Sequence, residues 1–239
     1  MAATRSILIR VVALAVAAGL VFVGYDALQA LSALERIESE RDTWQRPDDI
    51  IRALQLNTGD QVVDFGSGAG YFSLRLAPVV GREGQVTAVD LRRVSLAFLL
   101  IRAWQRGYRQ IDAVVGDAQR APLPPGSFDA VLIVNTYHEL TNRRDILGQL
   151  YNQLILGGRL VVADRRRRAQ QSASTSVDDH DTGHTMDPTR AEAELRAVGF
   201  EVISRNDTWI DRPGDEPWWL IVSRKPHPTG VSMLYRAPD

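Results

Sequence analysis

The sequence predicts a doubly wound α/β domain around a mostly parallel sheet, and three observations predict it. Short, nearly continuous apolar runs alternate with helical stretches, the pattern of strands covered on both faces by helices. A glycine cluster separates the first apolar run from the helix that follows it. Asp90 and Asp117 then stand at the ends of the next two runs, on the sheet edge where α/β folds bind ligands. At 239 residues, with 45% hydrophobic and 24% charged, the chain suits one domain with extra sequence at its ends. The net charge of -1 gives no global field for a polyanion, so no nucleic-acid partner is expected. Cysteine is absent, which excludes disulfides, thiolate nucleophiles and cysteine metal sites.

The chain begins with a segment of a different kind. Ile7 to Tyr25 is apolar apart from Arg10. Roughly 20 residues span a bilayer core, and residues 6–25 reach that length if Arg10 snorkels to the headgroups. A cleaved signal peptide would place small residues after the apolar run, and the pairs Ala13/Ala15 and Ala15/Ala17 lie inside it. A soluble helix would keep a polar face, which this segment lacks. Residues 1–25 are therefore expected to form an uncleaved anchor, with the signal peptide as rival. Arg5 and Arg10 precede the segment, and positive-charge counting places the domain outside.

Residues 26–46 carry Leu28, Leu31, Leu34 and Ile37 at helical spacing and predict a helical linker. Pro47 opens a second helix, as proline suits a first turn. The domain proper is expected over 47–226, with a tail over 227–239. Within it, QVVDF, VTAVD, AVVGD, FDAVLIVNTY and RLVVAD read as strands. YFSLRLAPVV, SLAFLLIRAWQ, RDILGQLYNQL and AEAELRAVGF read as helices between and after them, the last closed by Gly199. EVISRNDTWI and WWLIVSRK flank the turn segment RPGDEP without a helix between them. They predict a C-terminal antiparallel hairpin, making seven strands.

The glycine loop carries the functional signal. Val62 to Phe72 reads VVDFGSGAGYF, with Gly66, Gly68 and Gly70 on a strand-turn-helix and the helix starting near Tyr71. Glycines allow positive φ and close approach of a ligand to the backbone, and a helix start presents free N–H groups. Asp90, about 20 residues beyond, is placed to chelate ribose hydroxyls. Nicotinamide enzymes use G-x-G-x-x-G to hold a pyrophosphate. Here the spacing is G-x-G-x-G, with Asp64 two residues ahead of Gly66. A carboxylate there repels phosphate and attracts an ammonium group, which disfavours a nicotinamide oxidoreductase.

These residues resemble motif I of class I S-adenosylmethionine-dependent methyltransferases, and the resemblance runs over residues 44–225. RDTWQRPDDIIRAL followed by this motif is similar to a group of bacterial small-molecule-type methyltransferases. Phe65 stands where a smaller aliphatic residue is commoner. The resemblance implies a Rossmann-like methyltransferase fold and S-adenosylmethionine as cofactor; that cofactor is made in the cytosol, which favours the cytoplasmic side for the domain against the charge count. It implies cofactor-binding roles for Asp64, Gly66, Ser67, Gly68, Gly70, Tyr71, Asp90, Leu91, Asp117, Ala118 and Asn135.

After strand four the sequence reads Asn135-Thr136-Tyr137-His138-Glu139. Enzymes that methylate base amino groups or glutamine amides tend to carry Asn/Asp-Pro-Pro-aromatic there, so that subclass is disfavoured. His138, which titrates near neutrality, is the candidate base or acceptor-orienting group, with packing beneath the following helix as the rival reading. Tyr137 either lines the sulfonium pocket or fills the core, the commoner case. Together with the anchor, the pattern implies methyl transfer to a small or lipid-like acceptor. The alternative is a non-catalytic S-adenosylmethionine-binding sensor or scaffold at the membrane. No metal site is expected: Asp178 to His184 offers ligand types without a framework, and it reads as solvated linker or substrate-covering loop. The run Arg165 to Arg168 reads as a solvated segment, with contact to an anionic lipid or acceptor as the rival, and one of Trp218 and Trp219 is expected in the core.

Overall fold

The computed structural model describes residues 29–116, 123–167 and 185–228, together with Gly19, Phe22, Tyr25 and Asp26. The chain divides into two compact units, residues 1–45 and 46–239. In the first unit the described part is a helix over residues 29–42 followed by a turn. Ser39 donates to the Glu35 carbonyl at 2.8 Å, and Arg41 to the Gln45 amide oxygen at 2.9 Å. The expected anchor, residues 6–25, lies almost wholly outside the described residues. Among the described residues no helix is long and apolar enough to cross a membrane.

The second unit opens with α1 (Pro47–Leu54), which buries Pro47, Ile50, Ile51 and Leu54 and carries Asp48 and Asp49 in its first turn. Those acids suit the positive end of the helix dipole. There follow β1 (Gln61–Phe65), α2 (Ser73–Val80), β2 (Gln85–Asp90), α3 (Arg93–Gln105), β3 (Ile111–Val115) and β4 (Phe128–Val134). A short 3-10 turn, Tyr137–Glu139, precedes α4 (Arg143–Gln153), β5 (Leu154–Arg165), α5 (Pro188–Val198), β6 (Glu201–Ile210) and β7 (Trp218–Arg224). The seven strands form one sheet in the order β3-β2-β1-β4-β5-β7-β6. β1 to β5 are parallel, and β7 lies antiparallel between β5 and β6. The fold is the mixed, mostly parallel seven-stranded α/β sheet that the sequence predicts.

Several boundaries differ from expectation: β4 ends at Val134, short of Tyr137, and β3 at Val115, short of Asp117. α2 starts at Ser73 rather than near Tyr71, because Gly68 and Gly70 hold positive φ of 55° and 91° and residues 68–72 form a turn. The glycine pair Gly157-Gly158, just ahead of the predicted strand RLVVAD, is absorbed into β5, which runs twelve residues with a register shift against β4. Gly157 takes φ of 81° there, the bulge conformation that glycine supplies without steric cost.

The core lies between the sheet and its helices. Val63, Ile133, Leu147, Leu150, Val162, Trp219 and Ile221 are fully buried within it, and Phe65 nearly so. Each such side chain stabilises the fold by about 1.5–3 kcal/mol relative to exposure. α5 is closed at both ends as its sequence dictates. Asp187 accepts from the Thr189 N–H at 2.6 Å, Pro188 fills the first turn, and Gly199 ends the helix in the left-handed region. What matters for function is the switch point: from β1 the chain winds toward β3, and from β4 toward β6. The loops leaving β1, β2 and β4 therefore meet at one carboxyl edge, where open α/β sheets hold ligands.

Candidate active site

The loop leaving β1 is built by three glycines with different duties. All three hold positive φ: 85° at Gly66, 55° at Gly68 and 91° at Gly70. A Cβ on Gly66 would overlap the Thr136 side chain, and one on Gly70 would overlap Leu99 of α3. Both glycines let neighbouring elements close on the loop. A Cβ on Gly68 would meet open space, so this glycine leaves main chain open to a ligand. The loop hangs from β2: the Gly66 and Ser67 N–H groups donate to the Val89 carbonyl at 2.8 and 3.0 Å. Ser67 Oγ is buried and takes no hydrogen bond among the described residues. Asp64 is buried beneath the loop, its Oδ2 accepting from Ser73 Oγ at 2.5 Å, so it ties β1 to the start of α2. Tyr71 is also buried, edge-on to Phe72 at 4.9 Å and beneath the Arg75 guanidinium at 3.9 Å.

Asp90 ends β2 and turns its carboxylate onto this loop. Oδ2 accepts from the Gly68 N–H at 2.8 Å, and Oδ1 from the Arg92 N–H at 2.8 Å. Both are charge-assisted bonds, and they hold the open glycine against the tip of β2. Leu91, the next residue, is 57% exposed, an apolar side chain at the rim of the site. Asp117 and Ala118 lie outside the described residues; β3 ends at Val115, before them.

The segment after β4 supplies the titratable group. Asn135 holds φ of 54°, a left-handed conformation uncommon for a side-chain-bearing residue. Its Oδ1 is buried without a hydrogen bond among the described residues. His138 is buried, and its Nδ1 lies 2.8 and 3.1 Å from the two oxygens of Asp164. Asp164 is completely buried at the end of β5. It also accepts from the His138 backbone N–H at 3.0 Å and the Arg165 N–H at 2.8 Å. Burial opposes the charged imidazole, but the hydrogen bond and charge of Asp164, helped by Glu139, outweigh it and raise the His138 pKa. An acceptor at Nδ1 fixes the neutral ring with its proton there and its lone pair on Nε2. Glu139 Oε1 lies 3.8 Å from that nitrogen.

Tyr137, a candidate either to line the sulfonium pocket or to fill the core, lies in the core. It is fully buried, edge-on to Trp219 at 6.2 Å. Its hydroxyl donates to Glu194 of α5 at 2.7 Å, and burial pushes its pKa well above the usual range. Glu194 in turn pairs with Arg143 at 3.0 Å.

Sequence reading missed two residues. Asp164 was legible as an acid at a strand tip, the same signal that singled out Asp90. Arg102 was legible as a lone cation in the apolar run of α3; it is buried and donates to the Ala69 carbonyl of the glycine loop at 2.7 Å. The arginine run is corrected in part. Arg166 donates to the Asp207 carbonyl at 2.8 Å and Arg165 lies 3.9 Å from Glu216, so both are held by neighbouring backbone and acid. Trp218 and Trp219 are both buried, where one was expected. Asp178 to His184 lies outside the described residues.

Comparisons with known proteins bear on the fold and the family. A family profile described as a methyltransferase domain matches residues 56–204. The ubiquinone/menaquinone biosynthesis C-methyltransferase UbiE of Coxiella burnetii is 24% identical over 190 residues, covering 79% of this chain and 69% of its own length. Among solved structures, a SAM dependent methyltransferase from Aquifex aeolicus superposes with a TM-score of 0.66 at 18% identity, covering 82% of this chain and 98% of that one. Phosphoethanolamine N-methyltransferase 2 of Haemonchus contortus, solved with S-adenosyl-L-methionine, gives 0.62 at 17% identity, covering 77% and 53%. At these identities the structural likenesses carry the fold; the profile carries the family. The chain belongs to the methyltransferase domain family and is a class I S-adenosylmethionine-dependent methyltransferase.

Proposed function

We propose that the chain methylates a small or lipid-like acceptor that surrenders a proton, with His138 as general base and Asp164 as the group that orients it. S-adenosylmethionine supplies an electrophilic methyl on a sulfonium, and the chain's own residues have to hold donor and acceptor in line. The residues at the β1, β2 and β4 tips fit that donor. Gly68 leaves main chain open beside the Asp90 carboxylate, a placement suited to ribose hydroxyls. Carboxylate oxygens accept at more than one lone pair, so Asp90 keeps its loop contacts while receiving a hydroxyl. Ser67 Oγ and Asn135 Oδ1 are buried polar atoms awaiting partners, and an amino acid moiety offers them. The buried charge of Asp64 favours a cationic ligand above the loop. Leu91 offers an apolar surface to the purine. Asp117 and Ala118 remain the sequence-based candidates for the adenine side.

The observation that carries the reading is the pair His138–Asp164. A base is redundant where the acceptor is already a free electron pair, and it is needed where an O–H or acidic C–H must be lost. Such assistance contributes about 10²–10⁴-fold, and alignment at the sulfonium adds several kcal/mol. The relative named for ubiquinone/menaquinone biosynthesis lends support to an acceptor that travels with lipid. So does the apolar segment Ile7 to Tyr25, which we propose as a single-pass tether with the domain on the cytoplasmic side.

The test uses the full chain with radiolabelled methyl donor and membrane and soluble extracts. Label entering an organic-extractable compound, lost in His138→Gln, is expected. Transfer that persists undiminished in His138→Gln removes the base, and donor binding without transfer to any fraction makes the chain a sensor. Retention in membranes after alkaline extraction is expected of the tether, and release of the whole chain refutes it.

A further inference from the structure

Helix α3 is apolar on both of its sides. Leu96, Leu99 and Ala103 are buried on the side that faces the domain. The other side carries Val94, Leu100, Ile101 and Trp104, exposed by 69, 45, 47 and 77%, with Leu91 just ahead of it. At 3.6 residues per turn, positions 94, 97, 101 and 104 form one stripe with Leu100 along its flank. A domain helix in water keeps its outward face polar; a contiguous apolar face turned outward marks a contact surface.

The charges along this segment of the chain have one sign. Arg92, Arg93, Arg106 and Arg109 are exposed at its two ends, and no acidic residue stands between Asp90 and Asp112. Arg92 approaches Asp90 at 3.6 Å while its side chain stays 76% exposed. The chain as a whole has a net charge of -1, so the basic concentration is local. An apolar stripe ending in a tryptophan and bracketed by arginines has the composition of a helix lying in a lipid interface. A second copy of the chain would bring the same arginines against each other, which disfavours self-association on this face.

We infer that this face of α3 docks onto an anionic bilayer surface, with Val94, Ile101 and Trp104 entering the headgroup–acyl boundary and the arginines meeting lipid phosphates. The surface adjoins the site, because Leu91 follows the carboxylate that holds the glycine loop. Docking brings the rim of the site to the lipid, where a membrane-borne acceptor is found. The surface is independent of the identity of that acceptor and of the base, since its readout needs neither donor nor turnover.

The absence of cysteine makes the test direct in the full-length chain. Val94→Cys, Ile101→Cys and, as control, Ile203→Cys are labelled with an environment-sensitive fluorophore. Ile203 is exposed on β6, at the opposite edge of the sheet from the strands that α3 covers. Vesicles of phosphatidylcholine with phosphatidylglycerol are expected to shift the emission to the blue at 94 and 101 and to leave 203 unchanged. Arg92→Gln and Arg93→Gln are expected to weaken that response about fivefold per arginine. The inference is overturned if the chain floats with the vesicles while positions 94 and 101 keep their aqueous emission, for then only the N-terminal segment holds it. An equal response to phosphatidylcholine alone removes the anionic requirement. A blue shift without lipid that grows with protein concentration assigns the face to a second copy.

Discussion

The ring Nδ1 and the backbone N–H of His138 both end on one carboxylate, that of Asp164, at 2.8 and 3.0 Å. A side chain and its own main chain held by a single buried anion cannot turn independently. The segment after β4 is thereby fixed to the tip of β5, and the basic nitrogen of His138 takes a set direction.

The first prediction concerns pH. The His138 pKa is raised, because Asp164 outweighs the cost of burial. A base must be neutral to act, so kcat is expected to rise with pH through a value above the ordinary histidine range near 6.5. In Asp164→Asn the inflection moves down and kcat falls. Stability follows the opposite limb. The folded pKa exceeds the unfolded one, so the contribution is full below about 6.5 and is lost as pH rises through the folded value. A pH–rate profile of both proteins checks this; an inflection that the substitution does not move would detach Asp164 from the base.

The glycines separate folding from binding. Gly66→Ala drives a methyl into Thr136 and also sets an alanine at a φ of 85°. It is expected to cost about 1–3 kcal/mol of stability for overpacking and about 1–2 kcal/mol more for the left-handed backbone. Gly68→Ala has room and bears only the penalty of a left-handed alanine, about 1–2 kcal/mol, yet it intrudes where the donor is proposed to lie. Thermal unfolding and titration with S-adenosylmethionine distinguish them. A stable Gly68→Ala protein that binds the donor normally places the donor elsewhere.

Asp90→Ala is expected to weaken donor binding by about 1–3 kcal/mol, the scale for hydrogen bonds to a charged group. It also releases the Gly68 and Arg92 N–H groups, so the loop should exchange amide protons faster. Unchanged affinity with faster exchange would leave Asp90 as a loop anchor alone.

Tyr137→Phe distinguishes the core role of this residue from a role in the site. Removing the hydroxyl leaves Glu194 with Arg143 and is expected to cost about 0.5–1.5 kcal/mol, one ordinary hydrogen bond, with turnover preserved. A large fall in kcat at unchanged stability would return Tyr137 to the site.

The sequence by itself determined the alternation of strands and helices, the antiparallel pair at the end, and the positions at which Gly66, Gly68, Gly70 and Asp90 stand. These are local properties: apolar periodicity and glycine's freedom at positive φ do not depend on what packs against them. Only the tertiary structure decided which neighbours each side chain keeps. Tyr137 and His138 are adjacent in the chain, yet one is committed to Glu194, 57 residues away, and the other to Asp164, 26 residues away. Arg102 reaches Ala69 across 33 residues. Such pairings are set by strand order and by which buried polar groups must find partners, and neither is written in the spacing of residues along the chain.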